Sequence, residues 1–229
     1  MRPLLLCFWL LSLPGVAQAP AVAAPVQAAP QLQELAAFIG PFPSVESDAG
    51  KADLAVVLWE QRIRTEADIQ RAKSEVKLEL SAYSEAMGVH LEASRFPETA
   101  NLFLQVAKHI KAQSDGLKLM FARPRPYVAA LQVQPAIERE TNPSYPSGHA
   151  TRGLAIAMIL AELRPERREA LLAQGRQVGV NRVIGGVHYP TDIEAGQQLG
   201  ARLAQAWLAE AGNRRLVEAV RQAEWTPKR

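Results

Sequence analysis

The chain has 229 residues, which is enough for one domain with a full hydrophobic core and too few for two domains of ordinary size. Hydrophobic residues make up 48% and charged residues 21% of the chain, and these globular proportions exclude a disordered protein. A net charge of +3 is too small an excess to indicate a nucleic-acid-binding protein, although it favours the approach of anionic substrates.

The N-terminal residues have the pattern of a secretory signal peptide. A short basic region and an apolar run at 4–13 precede an A-x-A cleavage pattern at 17–19. The run is about ten residues long, too short to span a bilayer, and a buried N-terminal strand or helix is the alternative. The sequence therefore predicts a signal peptide over 1–19, an Ala/Pro-rich spacer over 20–31 and a periplasmic or secreted domain over 32–229.

Apolar residues at a 3.6-residue period predict helices after the spacer. One stripe predicts a helix over 69–87 with Gly88 as its stop. Its members are Ile69, Ala72, Val76, Leu80, Tyr83 and Met87. A second helix is predicted over 97–122.

Three further helices complete the predicted fold. The third begins near Ser147 and is apolar on all sides through Leu160, which is typical of a central helix. The fourth covers 165–187 and the fifth 190–211, with Gly212 just past its end. No segment alternates for long with period two, and no apolar run after residue 19 is long enough to span a membrane. The predicted fold is an all-α, single-domain helical bundle around a central apolar helix, with no integral membrane segment in the mature protein.

Three blocks of residues carry the candidate chemistry. In chain order they are Lys118-x6-Arg125-Pro126, Pro146-Ser147-Gly148-His149 and Arg182-x5-His188-x3-Asp192. At roughly 5% usage per residue type, a specified string of four residues arises by chance about once in 10^5 positions. The two sparser blocks are weak individually, but all three in this order are a strong signal.

The cations and the helix start in these blocks predict a phosphate-binding site. Arg123 and Arg125 each precede a proline, which disfavours helical geometry, so the second helix is expected to end near Ala122. Lys118 then lies in the last turns of that helix and Arg125 just beyond it. Ser147 and Gly148 open the central helix, where exposed N–H groups bind anions and glycine lets the backbone come close. Arg182 adds a planar fork of donors that suits phosphate oxygens.

Two histidines and a carboxylate predict phosphoryl transfer at this site. Asp192 falls in the first turn of the fifth predicted helix, where it can hold the Nδ1–H of His188 and leave Nε2 as a nucleophile. His149, at the start of the central helix, is placed to protonate the leaving alkoxide. Taken alone, His188 and Asp192 fit a surface ion pair and His149 fits a capping or core histidine.

The three blocks form the signature of the type 2 phosphatidic acid phosphatase superfamily, and the chain most resembles its bacterial class A non-specific acid phosphatases over about 118–196. The resemblance implies five phosphate-binding residues: Lys118, Arg125, Ser147, Gly148 and Arg182. It also implies that His188 becomes phosphohistidine, that Asp192 orients it, and that His149 acts as acid and then as base. The implied substrates are small phosphate monoesters, with no metal or other cofactor, because the family's cations replace a metal.

Two positions depart from the family's pattern. Asn181 stands where a serine usually precedes the arginine, and Gly185-Gly186 replaces a common Cys-Gly pair. Neither change removes a charged or catalytic group, and Asn181 is expected to support either the turn or Arg182 from behind. Arg123 fits either a supporting role or a solvated one. Two other functions stay open: a vanadate-dependent haloperoxidase on the same phosphate cradle, and a non-enzymatic phosphate-binding protein.

Overall fold

A computed structural model describes residues 30–226, and these residues form helices and loops without a β-strand, which confirms the all-α fold class. The α-helices are α1 Pro30–Ile39, α2 Asp48–Ile63, α3 Glu66–Ser74, α4 Ser84–Met87, α5 Pro97–Phe121, α6 Pro126–Ala129, α7 Gly148–Leu163, α8 Arg168–Ile184, α9 Pro190–Ala209 and α10 Ala211–Glu224. Short 3₁₀ turns cover Leu80–Tyr83 and Pro165–Arg167. The predicted signal peptide and most of the predicted spacer lie outside the described residues.

Helix α7 is the centre of the bundle, as its sequence predicts. All of its residues are buried except Arg152, Met158 and Glu162, which suits a helix that is apolar on every side. Helices α5, α8 and α9 pack around it. Gly153 of α7 and Gly175 of α8 allow a close approach, because a methyl group on Gly153 would lie 2.7 Å from the Gly175 carbonyl oxygen.

Helix α9 lies against the first two turns of α7, and this contact positions the site. A methyl group on Gly196 would lie 2.6 Å from the Ser147 carbonyl oxygen, and a methyl group on Gly200 would lie even closer to the carbonyl oxygen of Thr151. The Ser147 N–H donates to the carbonyl oxygen of Asp192 at 2.9 Å. The starts of α7 and α9 are therefore held side by side.

The predicted helix over 69–87 is wrong in its middle. Helix α3 ends at Ser74, and helical structure resumes only in the 3₁₀ turn that precedes α4. Glu75 is buried and accepts a hydrogen bond from Asn181 Nδ2 of α8 at 2.8 Å. Bonds to a neighbouring helix thus replace helical bonds here, while the apolar stripe continues across the break. Gly88 does end α4, with a φ of 71°.

The C-terminal boundary also differs from the sequence interpretation. Helix α9 ends at Ala209, because Glu210 is extended with φ −70° and ψ 126°. Gly212 does not terminate a helix but lies in the first turn of α10. The change of direction packs Val217 and Val220 of α10 against the core. The second predicted helix agrees with α5 at both ends, whereas α1, α2 and α10 are not predicted by the periodicity.

Candidate active site

The three sequence blocks meet at one end of the bundle, around the start of α7. The end of α5 and its following loop, the end of α8 and the start of α9 all reach this point. All eight candidate residues are buried: Lys118, Arg125, Ser147, Gly148, His149, Arg182, His188 and Asp192. A cleft of about 490 Å³ opens beside them and is lined by His149 and Arg182 among others. The structure therefore brings together the residues that the sequence singled out.

The contacts of His188 determine its tautomer. Arg125 Nη1 lies 3.3 Å from His188 Nε2, and since a guanidinium can only donate, Nε2 presents its lone pair. The ring proton then sits on Nδ1, which lies 3.1 Å from Asp192 Oδ2 and 3.2 Å from Ser144 Oγ. His188 has the arrangement that a nucleophile requires, with a carboxylate on Nδ1 and a lone pair on Nε2.

Both carboxylate oxygens of Asp192 accept hydrogen bonds. Oδ2 accepts from Ser144 Oγ at 2.5 Å and from the Tyr189 N–H at 2.9 Å. Oδ1 accepts from Arg123 Nη1 at 2.7 Å. Burial raises the pKa of Asp192, but the hydrogen bond from His188 and the charges of His188 and Arg123 outweigh burial, so the pKa is lowered. Asp192 therefore stays ionised in the mildly acidic range.

Two buried groups have pKa values on either side of that range. Burial, followed by the charge of Arg125, lowers the pKa of His188 to about 4 against the opposing effect of Asp192. Burial, followed by the charge of Arg125, lowers the pKa of Lys118 to about 7. Between these values His188 is neutral and Lys118 is charged, which is the state that suits both attack and anion binding.

Arg125 is held by backbone and side-chain acceptors around its guanidinium. Its Nε donates to the Asn142 carbonyl oxygen at 2.8 Å, and its Nη1 donates to the Val187 carbonyl oxygen at 2.9 Å. Its Nη2 donates to Glu140 Oε2 at 2.9 Å. Burial raises the pKa of Glu140, but the charges of Arg125, His188 and Lys118 together outweigh burial and the pKa is lowered. The guanidinium is thus fixed beside His188, with Glu140 on the cleft side.

Arg182 has a buried donor with no acceptor. Its Nη2 donates to the Ala72 carbonyl oxygen and lies 3.8 Å from Glu75 Oε2, but its Nε has no hydrogen-bond partner among residues 30–226. An unpartnered buried donor costs about 1–3 kcal/mol, and an oxygen of a bound anion would satisfy it. Asn181 Nδ2 donates to the same Glu75 Oε2, so Asn181 contacts the carboxylate beside Arg182.

The start of α7 provides a backbone anion site. Ser147 caps the helix, since its Oγ accepts from the Ala150 N–H at 3.3 Å. The N–H groups of Gly148 and His149 belong to the first turn, where no helical carbonyl precedes them. A methyl group on Gly148 would lie 3.8 Å from Lys118 Cε. The backbone donors and the Lys118 side chain therefore converge on the same region.

His149 has one ring nitrogen committed to the backbone. Its Nε2 lies 3.1 Å from the Val76 carbonyl oxygen and therefore donates, which leaves Nδ1 to exchange a proton. Burial, followed by the charges of Arg152 and Arg182, lowers the pKa of His149 well below its usual value. A bound dianion would oppose these effects, because negative charge favours the protonated imidazole.

The sequence does not predict four residues of the site: Ser144, Glu140, Asp53 and Thr191. It leaves the role of Arg123 open between a supporting and a solvated one. Arg123 had a signal, because it lies in an Arg-Pro-Arg-Pro run with Arg125. Asp53 had none, because the residue it contacts in α9 is 138 positions away. No three His, Cys, Asp or Glu side chains within residues 30–226 are grouped so that they could hold a metal ion.

Comparison with known proteins identifies the family. A family model for the PAP2 superfamily matches residues 100–215, so the chain belongs to this superfamily, as its motifs predict. An acid phosphatase of Zymomonas mobilis is 32% identical over 150 residues, which cover 62% of this chain and 56% of that protein. A non-specific acid phosphatase of Salmonella typhimurium is 34% identical over 126 residues, which cover 52% of this chain and 50% of that protein. The chain thus spans about half the length of these relatives.

A solved structure has the same fold. It is the crystal structure of a transmembrane PAP2 type phosphatidylglycerolphosphate phosphatase from Bacillus subtilis, with a TM-score of 0.51 and 22% sequence identity. The alignment covers 79% of this chain and 94% of that one. Across residues 30–226 of the present chain, no helix is both long and apolar enough to cross a membrane.

Proposed function

We propose that this protein is an acid phosphatase that hydrolyses phosphate monoesters through a phosphohistidine on His188, without a metal ion. One observation carries the proposal: His188 is held by Asp192 on Nδ1 and presents the lone pair of Nε2 beside Arg125. The acid phosphatase activity named for the relatives supports the same reaction. The cleft beside His149 and Arg182 is large enough for a small phosphoester.

In the first proposed step the Nε2 lone pair of His188 attacks phosphorus. A P–N bond forms, the bond from phosphorus to the leaving-group oxygen breaks, and the leaving alkoxide takes a proton from protonated His149. Positive charge that develops on the imidazole of His188 is stabilised by ionised Asp192. The product of this step is an alcohol and a phosphoenzyme.

In the second proposed step water attacks the phosphorus of the phosphoenzyme. His149, now neutral, takes a proton from the water, and the P–N bond breaks to return its electron pair to Nε2 of His188. Inorganic phosphate leaves, and the enzyme is ready for another cycle. His149 must therefore be an acid and a base in turn, which requires its pKa to rise when the dianion binds.

The cationic groups of the cradle supply the charge stabilisation that a metal would otherwise give. Lys118 lies close to Gly148 at the start of α7, Arg182 acts on the neighbouring His149, and Arg125 lies beside His188. The N–H groups in the first turn of α7 are suited to bind an anion beside these cations. Arg182 Nε is a buried donor that a phosphoryl oxygen would satisfy. We therefore expect hydrolysis to continue when metal ions are chelated.

The test is hydrolysis of p-nitrophenyl phosphate at mildly acidic pH with excess chelator, beside bromide oxidation by peroxide with added vanadate. The proposal predicts hydrolysis that chelator leaves unchanged and vanadate inhibits, because vanadate imitates the five-coordinate phosphoryl group. Hydrolysis that stops with chelator and returns with zinc or magnesium contradicts it. Bromide oxidation without phosphate release would assign the cradle to a haloperoxidase.

Export to the periplasm or medium is a second part of the proposal. It is supported by the basic, apolar and A-x-A pattern over 1–19, which has the order of a signal peptide. The mature N-terminus is expected between Ala19 and Gln31. Sequencing the N-terminus of active protein from cell fractions tests this, and active cytosolic protein that begins at Met1 would contradict it.

A further inference from the structure

A buried ion-pair network joins α2 to the carboxylate of the site. Arg123 Nη1 donates to Asp192 Oδ1 at 2.7 Å and to Thr191 Oγ1 at 2.8 Å. Its Nη2 donates to Asp53 Oδ2 of α2 at 2.8 Å. Arg123 and Asp53 are 4% and 3% exposed, and Asp192 is fully buried, so this network is shielded from solvent and salt.

The network fixes the guanidinium from several sides. Asp53 also accepts from the Thr191 N–H at 3.1 Å and from the Thr191 hydroxyl, which ties α2 to the first turn of α9. The Arg123 guanidinium lies over the ring of Tyr189, 4.0 Å from its centroid. Arg123 is therefore held on several sides, with its Nη1 directed at Asp192 Oδ1.

The opposite face of that carboxylate serves His188. Asp192 Oδ1 faces Arg123, while Oδ2 faces His188 Nδ1 and Ser144. A change at Arg123 therefore reaches His188 through a single shared carboxylate. Asp53 lies outside residues 100–215, which the family model matches, so helix α2 from outside the matched region takes part in this network.

We propose that Arg123, anchored by Asp53, is a positioning residue that orients Asp192 and thereby sets the basicity of His188. The proposal rests on the proposed role of His188 as nucleophile. Arg123 and Asp53 form a pair of zero net charge, so the pair orients Asp192 while adding little net field at His188. The alternative is that the network only stabilises the fold, since buried ion pairs are weak evidence for a functional role.

The two single neutralisations should have opposite effects. Arg123→Gln leaves two carboxylates without their cation, so the pKa of His188 should rise by on the order of one unit. Asp53→Asn leaves Arg123 uncompensated, so the pKa of His188 should fall. Arg123→Lys keeps the charge but loses the planar fork that holds Asp192, so the pKa of His188 should fall as its hydrogen bond to Asp192 loosens. The double variant Arg123→Gln/Asp53→Asn removes a pair of zero net charge, so it should lower the pKa of His188 through the loss of orientation alone.

Other ionisable groups interact with His188 and Asp192 and stay unchanged in every variant. Those that interact with His188 or Asp192 come from α5, the loops before α7, α7 and the start of α9: Lys118, Arg125, Glu140, Tyr145, His149 and Tyr189. Their contributions are common to all four variants. The differences between variants therefore report the Arg123–Asp53 pair.

The experiment is a pH titration of the four histidines by NMR of protein labelled with 15N-histidine, with His188 assigned by its loss in His188→Gln. It needs no catalysis, so it separates this proposal from the proposed function, whose failure would appear as absent hydrolysis by wild-type protein. A lower pKa of His188 in Arg123→Lys and in the double variant supports the positioning role, because neither variant changes the net charge around Asp192. A wild-type pKa of His188 in both overturns it. If the double variant does not fold, Arg123→Lys alone decides by the same criterion.

Discussion

Replacing Arg182 by lysine should impair catalysis more than it impairs folding. Lysine retains a charge but has no Nε donor at the position where Arg182 Nε is buried without an acceptor. A hydrogen bond to a charged group contributes about 1.5–3 kcal/mol. Since each 1.36 kcal/mol is a factor of ten, kcat/KM should fall by about 10- to 150-fold.

The assays for Arg182→Lys are steady-state kinetics and thermal unfolding with and without inorganic phosphate. Wild-type protein should be stabilised by phosphate, because a ligand that binds only the folded state raises its stability, and the variant should lose most of this shift. Asn181→Ser is the matched control, since Asn181 contacts Glu75 rather than the cleft, and its kcat/KM should change by less than about tenfold. An Arg182→Lys variant with wild-type kinetics and a full phosphate shift would show that Arg182 Nε does not bind the phosphoryl group.

Two further predictions concern pH and packing. The kcat/KM profile should be bell-shaped, with an acid limb from His188 near the pKa of about 4 and an alkaline limb from deprotonation of both His149, the proposed acid, and Lys118, whose pKa is about 7. Lys118→Arg should remove the part of the alkaline limb that belongs to Lys118, and an unchanged limb would assign all of it to His149. Gly196→Ala should lower unfolding stability by about 1–3 kcal/mol, because the new methyl group overlaps the Ser147 carbonyl. Gly212→Ala, which meets no atom within 4 Å, should instead raise stability by about 0.5–1 kcal/mol in thermal melts.

The sequence predicts the parts of the site that depend on local pattern. The apolar run after Ser147 predicts the central helix, and the prolines that follow Arg123 and Arg125 predict where α5 stops. The three blocks predict which side chains converge, because each block carries charged groups at fixed spacing. A buried acid such as Asp53 leaves no such signal, since its partners lie far away along the chain.

The errors have the same origin in long-range contacts. The stripe that includes Val76 continues in phase, so periodicity alone indicates an unbroken helix. The break is caused by the Val76 carbonyl facing His149 and by Glu75 bonding to α8, and neither contact is visible in a hydrophobic pattern. The sequence also indicates Gly212 as the stop of a helix. A glycine in the first turn of a helix is tolerated when the apolar face of that helix packs on the core, as α10 does.

The phosphohistidine on His188 is tested by trapping the phosphoenzyme with substrate that carries labelled phosphate, quenched in alkali because a P–N bond is labile in acid. Label is expected on His188 in wild-type protein and absent in His188→Ala. His149→Ala should still be labelled by a substrate with a good leaving group, which needs little protonation. Label retained in His188→Ala, or found on a different residue of the wild-type protein, would rule out His188 as the nucleophile.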